Sequence, residues 1–207
     1  MADEVTTTAP LQFVPTLAPE EAARANFYGL IARLFQAPPD AALLQAIAVS
    51  GELEAEEGGV ALAWRDLAQA AASAELEAVV EEYDAAFIGV GKAPVTLYTS
   101  AYSVRYSNEM PLVGLRRDLA ELGLGRRGES TEPEDHVAAL SEVMRHLIAV
   151  QKSALEDQKR FFERWIWPTA QSLCSAIQKA EPIRFYRPVA RFAFAFFELE
   201  HAAFEML

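Results

Sequence analysis

Apolar residues recur at helical spacing along nearly the whole chain, and prolines interrupt them. Phe27, Leu30, Ile31, Leu34 and Phe35 share one helical face, and the Pro38-Pro39 pair must end it. Asp40 can cap a short helix carrying Leu43, Leu44 and Ile47. Two helical stretches follow near 60–72 and 74–88, the second with Leu76, Val79, Val80, Tyr83 and Phe87 on its apolar face. Another helix, started by Ser107 or Asn108 and running to Gly123, carries Leu112, Leu115, Leu119 and Leu122. Val137, Leu140, Met144, Leu147 and Ile148 continue the pattern. A helix from about Glu156 to Lys179 should be kinked or split by Pro168. A last helix after Pro182 holds Phe185, Val189, Phe192, Phe196 and Leu199. Strand character is confined to Val95–Tyr98, so the expected fold is all-α, a single compact helical domain.

Residues 1–17 lack periodicity and read as a flexible N-terminal tail, leaving 18–207 as the helical domain. Two glycines and a proline between Gly89 and Thr99 mark a loop or hinge. With 207 residues, 52% of them apolar, the chain can bury a sizeable core. Its single cysteine, Cys174, excludes an internal disulfide and a cysteine-based metal cage, and fits a reducing cytoplasm. Met1-Ala2-Asp3-Glu4 has neither the basic nor the apolar region of a secretory signal, and no apolar run approaches a membrane span.

The net charge of −12 is unevenly spread. Residues 1–100 hold fifteen acidic and four basic side chains, and residues 101–207 hold fifteen and fourteen. The first half repels nucleic acid and anionic lipid and would attract a cationic peptide. An acidic surface also serves solubility alone.

The densest cluster of polar chemistry is Glu132-Pro133-Glu134-Asp135-His136, at the mouth of an apolar helix. Thr131 and Glu134 have the spacing of a capping box, Pro133 suits a first helical turn, and the carboxylates face the positive end of the helix dipole. Asp135 and His136 exceed what capping needs. They could form a general-base pair, or Asp135 could complement the dipole while His136 packs. No partner nucleophile is identifiable, since Ser100 lacks the Gly-x-Ser-x-Gly context. Glu142 with His146, and His201 with Glu198 and Glu205, have helical ligand spacing. The scattered histidines and the lack of a His-Glu-x-x-His motif favour solvated helix pairs over a metal site.

Glu-Pro-x-Asp-His before an apolar helix resembles the signature of the TorD/DmsD/NarJ family of cytoplasmic redox-enzyme maturation chaperones. The block Pro94-Val95-Thr96-Leu97-Tyr98-Thr99-Ser100-Ala101-Tyr102 is similar to a family loop. Leu115-Arg116-Arg117-Asp118 with Gly123-Leu124, and Phe161-Phe162 with Trp165-Ile166-Trp167-Pro168 and Phe185-Tyr186, resemble later family segments. Tyr98 stands where the family often carries tryptophan, and the first hundred residues match only in helical character and acidity. The resemblance implies the helical chaperone fold, domain-swapped in some relatives, and a binding protein rather than an enzyme, with no cofactor of its own. It implies a molybdopterin-containing oxidoreductase as partner, bound through its twin-arginine signal peptide, and a peptide site including Tyr98, Ser100, Tyr102, Glu132, Pro133, Asp135 and His136. Homodimerisation stays open. The alternatives are a small helical enzyme using Asp135-His136, or an assembly subunit of a redox complex. In either case Trp165 and Trp167 are expected in the core.

Overall fold

Prolines and caps set the helix ends in the computed structural model, which describes residues 17–50, 58–88, 93–103, 111–125 and 133–207. Helix α1 (Pro19–Gln36) starts on a proline, with Glu20 and Glu21 in its first turn, and stops before Pro38-Pro39. The buried hydroxyls of Tyr186 and Tyr83 donate to the carbonyls of Leu34 and Phe35 at 2.9 and 3.0 Å. The last turn of α1 would otherwise leave such acceptors unpaired. Asp40 caps α2 (Ala41–Val49) as expected, its Oδ1 accepting from the Leu43 N–H at 2.7 Å. Helices α3 (Gly59–Ala72) and α4 (Leu76–Tyr83) follow, and α4 continues into a π-helical turn, Asp84–Ile88.

Beyond them lie α5 (Pro111–Glu121), α6 (Val137–Ala149), α7 (Leu155–Trp165), α8 (Trp167–Lys179) and α9 (Tyr186–Glu205). The expected long helix near 156–179 is divided at Ile166, whose φ of −106° and ψ of −59° distort the turn between α7 and α8, and Pro168 sits in the first turn of α8. The described residues contain helices and one isolated antiparallel bridge, Tyr98 to His136, and no strand. The all-α expectation holds. The expected tail, but for Leu17, and residues 89–92 of the expected loop lie outside the described residues. No described helix is long and apolar enough to cross a membrane.

The core is organised around α9. Tyr186, Val189, Phe192, Phe196, Phe197 and Phe204 are buried at spacings of three, three, four, one and seven, a broad apolar face. That face packs on α3, α8 and α1, and α1 in turn lies along α6. Gly29 permits the last contact, because a Cβ there would come within 3.0 Å of the Arg145 Cδ. Glu82 of α4 caps the start of α9: its two carboxylate oxygens accept from the N–H groups of Phe185 and Tyr186 at 3.0 and 2.8 Å.

One carboxylate lies within the apolar face. Glu200 is 3% exposed. Arg24 grips it bidentately at 2.7 and 2.8 Å, and the Tyr28 hydroxyl donates at 2.9 Å. Burial, and then the charge of Glu200, hold the Tyr28 phenol well above its ordinary value of 10, so it remains a donor.

Cys174 is buried in α8, and burial pushes its thiol up to about 12. The thiolate is the reactive form, so the native protein should resist thiol reagents at pH 8. Labelling with an aromatic disulfide should be complete within minutes in denaturant and slow in buffer, at the rate of opening. Fast labelling of the folded protein would show that the helix is not packed as described.

Candidate functional site

The chain returns from the π-helical turn in an extended segment with period-two burial. Val95 and Leu97 are buried, whereas Thr96 and Tyr98 are half-buried. The Val95 N–H donates to the Ala86 carbonyl at 3.1 Å, which ties the segment to the turn. Its far end pairs with the approach to α6. The Thr99 N–H donates to the Asp135 carbonyl and the Val137 N–H to the Leu97 carbonyl, both at 2.9 Å. The Thr99 hydroxyl adds a bond to the same Asp135 carbonyl at 3.1 Å. A 3₁₀ turn, Thr99–Ala101, follows, and the Tyr102 hydroxyl folds back onto the Thr96 carbonyl at 2.9 Å. Burial raises the Tyr102 phenol above its ordinary value.

This pairing explains why α6 starts later than the sequence suggests. Asp135 and His136 are held in extended pairing, so the helix begins only at Val137. The expected capping box is replaced. Glu134 receives Arg116 of α5 at 3.1 and 3.0 Å, and the cap is His136, whose Nδ1 accepts from the Ala138 N–H at 3.2 Å. Pro133 precedes the helix, its carbonyl accepting from the His136 N–H at 3.4 Å. Thr131 and Glu132 lie outside the described residues. The hydrogen bond to Glu134, then its charge, and more weakly that of Asp135, raise the Arg116 guanidinium above its ordinary value.

Asp135 is the pivot. It is 4% exposed. Its Oδ2 accepts from the Ser100 N–H at 3.1 Å, while Oδ1 is buried and receives no hydrogen bond from the described residues. A buried carboxylate oxygen without a donor is costly, and a water or a ligand group can supply the donor. Asp135 lines a cavity of about 270 Å³ together with Ser100, Ser103, Arg164, Trp165 and Thr169. The side chains come from the 93–103 segment, the approach to α6 and the α7–α8 junction.

Of the residues expected in the site, Ser100 and Asp135 reach the cavity wall. Tyr98, Tyr102, Pro133 and His136 do not line it. The Tyr98 ring stands edge-on to His136 at 5.2 Å, an aromatic contact that braces the bridge. The imidazole Nδ1 is committed to the helix cap and the Asp135 carboxylate to Ser100, an arrangement suited to holding a loop.

Trp165 and Arg164 were not expected in the site. Trp165 is half-buried at the α7–α8 break and donates its indole N–H to the Asp118 Oδ2 at 2.9 Å. The proline break beside two tryptophans was the available signal, because a helix junction exposes the rings that flank it. Among the described residues, Glu163, His201 and Glu205 each bring one ligand-type atom within 4.8 Å of the others. The Lys159 ammonium already lies 3.7 and 4.0 Å from the two carboxylates, and His201 stacks on Trp167 at 4.1 Å. Glu142 pairs with Arg145 at 2.8 Å.

Residues 53–175, more than half of the chain, match the family model described as nitrate reductase delta subunit. No curated protein matches the chain in sequence. A crystal structure from Archaeoglobus fulgidus, of a protein named as a redox enzyme maturation protein, superposes with a TM-score of 0.55 at 20% identity. The match covers 92% of this chain and 99% of that one, and at this identity it speaks for a shared fold. The matched residues include the extended segment, the Asp135 pivot and the α7–α8 junction, and members of this family are maturation chaperones, not catalysts. The chain belongs to the nitrate reductase delta subunit family, the NarJ/TorD type of redox-enzyme maturation chaperone.

Proposed function

We propose that this chaperone acts in the cytoplasm on a molybdopterin-containing oxidoreductase, binds its twin-arginine leader, assists cofactor insertion and delays export until maturation. The observation that carries the reading is Asp135 on the wall of the cavity, a buried carboxylate whose Oδ1 receives no hydrogen bond from the described residues. A leader guanidinium offers the missing donors in a planar fork, and a charge-assisted hydrogen bond contributes about 1.5–3 kcal/mol. Trp165 offers an apolar wall next to that carboxylate. In this reading Tyr98, Tyr102, Glu132, Pro133 and His136 form the surface leading to Asp135 and Ser100.

Co-expression of the tagged chaperone with the oxidoreductase, with and without its leader, tests the reading. Capture should require the leader and weaken when both leader arginines become lysines. Equal capture of a leaderless partner would overturn it. The acidic first half of the chain should also speed encounter with a basic leader. Association should slow markedly between 0.1 and 1 M salt, as the Debye length falls from about 10 to about 3 Å. A stopped-flow rate indifferent to salt would remove the steering role.

A further inference from the structure

Arg164, in the last turn of α7, is a wall shared by two cavities. One is the cavity beside Asp135, and the other, of about 170 Å³, is lined by Asp118, Glu121, Asp157, Arg160 and Phe161. The Arg164 guanidinium lies over the Trp165 ring, 5.0 Å from its centroid. Its Nη1 donates to the Asp118 Oδ1 at 3.2 Å and lies 2.9 Å from Oδ2 as an ion pair. The Trp165 indole N–H donates to the same Oδ2 at 2.9 Å, and the Arg117 Nε lies 3.7 Å from Oδ1. Gly114 of α5 leaves room for the Trp165 ring, because a Cβ there would come within 3.1 Å of its Cη2.

A carboxylate and an aromatic face make a receptor for a planar cation. The receptor is better buried than its occupant: the Asp118 side chain is 16% exposed and that of Arg164 43%. An ion pair so open to water is weakly held and exchangeable. We infer that Asp118 and Trp165 form a guanidinium-binding site that Arg164 fills in the peptide-free protein, and that an arginine of the incoming peptide takes its place. The second half rests on the leader-binding reading; the first half does not.

Methylguanidinium is the probe for the first half. Arg164→Ala should bind it saturably, read by tryptophan fluorescence, while the wild type and the Arg164→Ala/Asp118→Asn double variant stay silent. An Arg164 that merely complements the α7 C-terminus predicts no response in any of the three, and that result would overturn the site. Arg164→Gln, which keeps more of the side chain, guards against a folding defect in the alanine variant. For the second half, Arg164→Ala should bind a twin-arginine leader up to about fivefold more tightly than wild type, the worth of one exposed ion pair. Unchanged or weaker leader affinity, with methylguanidinium still bound, would overturn the exchange. If neither protein binds the leader while methylguanidinium binds, the leader-binding reading fails and the guanidinium site stands.

Discussion

Glu200→Ala should lower the unfolding free energy by about 3–5 kcal/mol, the cost of breaking a buried, hydrogen-bonded charge pair from one side. In a chain of this length that corresponds to a melting temperature lower by roughly 10 °C. The variant strips Arg24 of both its bonds to Glu200 and leaves the buried Tyr28 hydroxyl without an acceptor. It loosens α1 from α9, the helix around which the core is built. Replacing the whole set, with Arg24→Met, Tyr28→Phe and Glu200→Leu together, should recover most of the loss, because no unpaired polar group remains. Urea unfolding of the two variants beside wild type checks both statements. A change below about 1 kcal/mol in the single variant would show that water, not Arg24 and Tyr28, satisfies Glu200.

Asp135→Asn should weaken leader binding by roughly tenfold or more while leaving the fold nearly unchanged. The amide keeps one oxygen for the Ser100 N–H and loses the charge that a guanidinium needs. Asp135→Ala removes the Ser100 anchor as well and should destabilise the protein by about 1–3 kcal/mol. If Asp135 only complemented the α6 dipole, Asp135→Asn would cost about 0.3–1 kcal/mol of stability and no affinity. Melting curves and binding isotherms on the same samples separate these outcomes.

The helical architecture was legible because its signals are local. Asp40, Pro38-Pro39 and Pro168 act on the residues beside them, and the helix ends they imply are those observed. The start of α6 was misjudged because its cause is not local. Thr131-x-x-Glu134 has a capping-box spacing, but the bridge to Leu97–Thr99 holds Asp135 and His136 extended, and Arg116 claims Glu134. Glu82 at the head of α9 and Glu200 against Arg24 were invisible for the same reason, since their partners lie more than a hundred residues away. In the site, the unusual density of Glu132–His136 pointed to Asp135, and the loop block pointed to Ser100. Large aromatics favour the core, which is why the sequence alone places Trp165 there, and the path of α7 against α5 brings it beside Asp118 and the cavity.

Hydrogen exchange of the full chain, with and without a twin-arginine leader peptide, tests most directly whether this surface receives the leader. Peptide binding should slow exchange in residues 93–103, 133–140 and 161–170, the three segments that meet at Asp135, and the effect should vanish with a twin-lysine leader. A second groove of about 510 Å³ lies between α1, α2 and α6, lined by Gly29, Arg33, Leu43 and Arg145. Slowing confined to that groove, with the three segments unchanged, would contradict the account and move the leader site there.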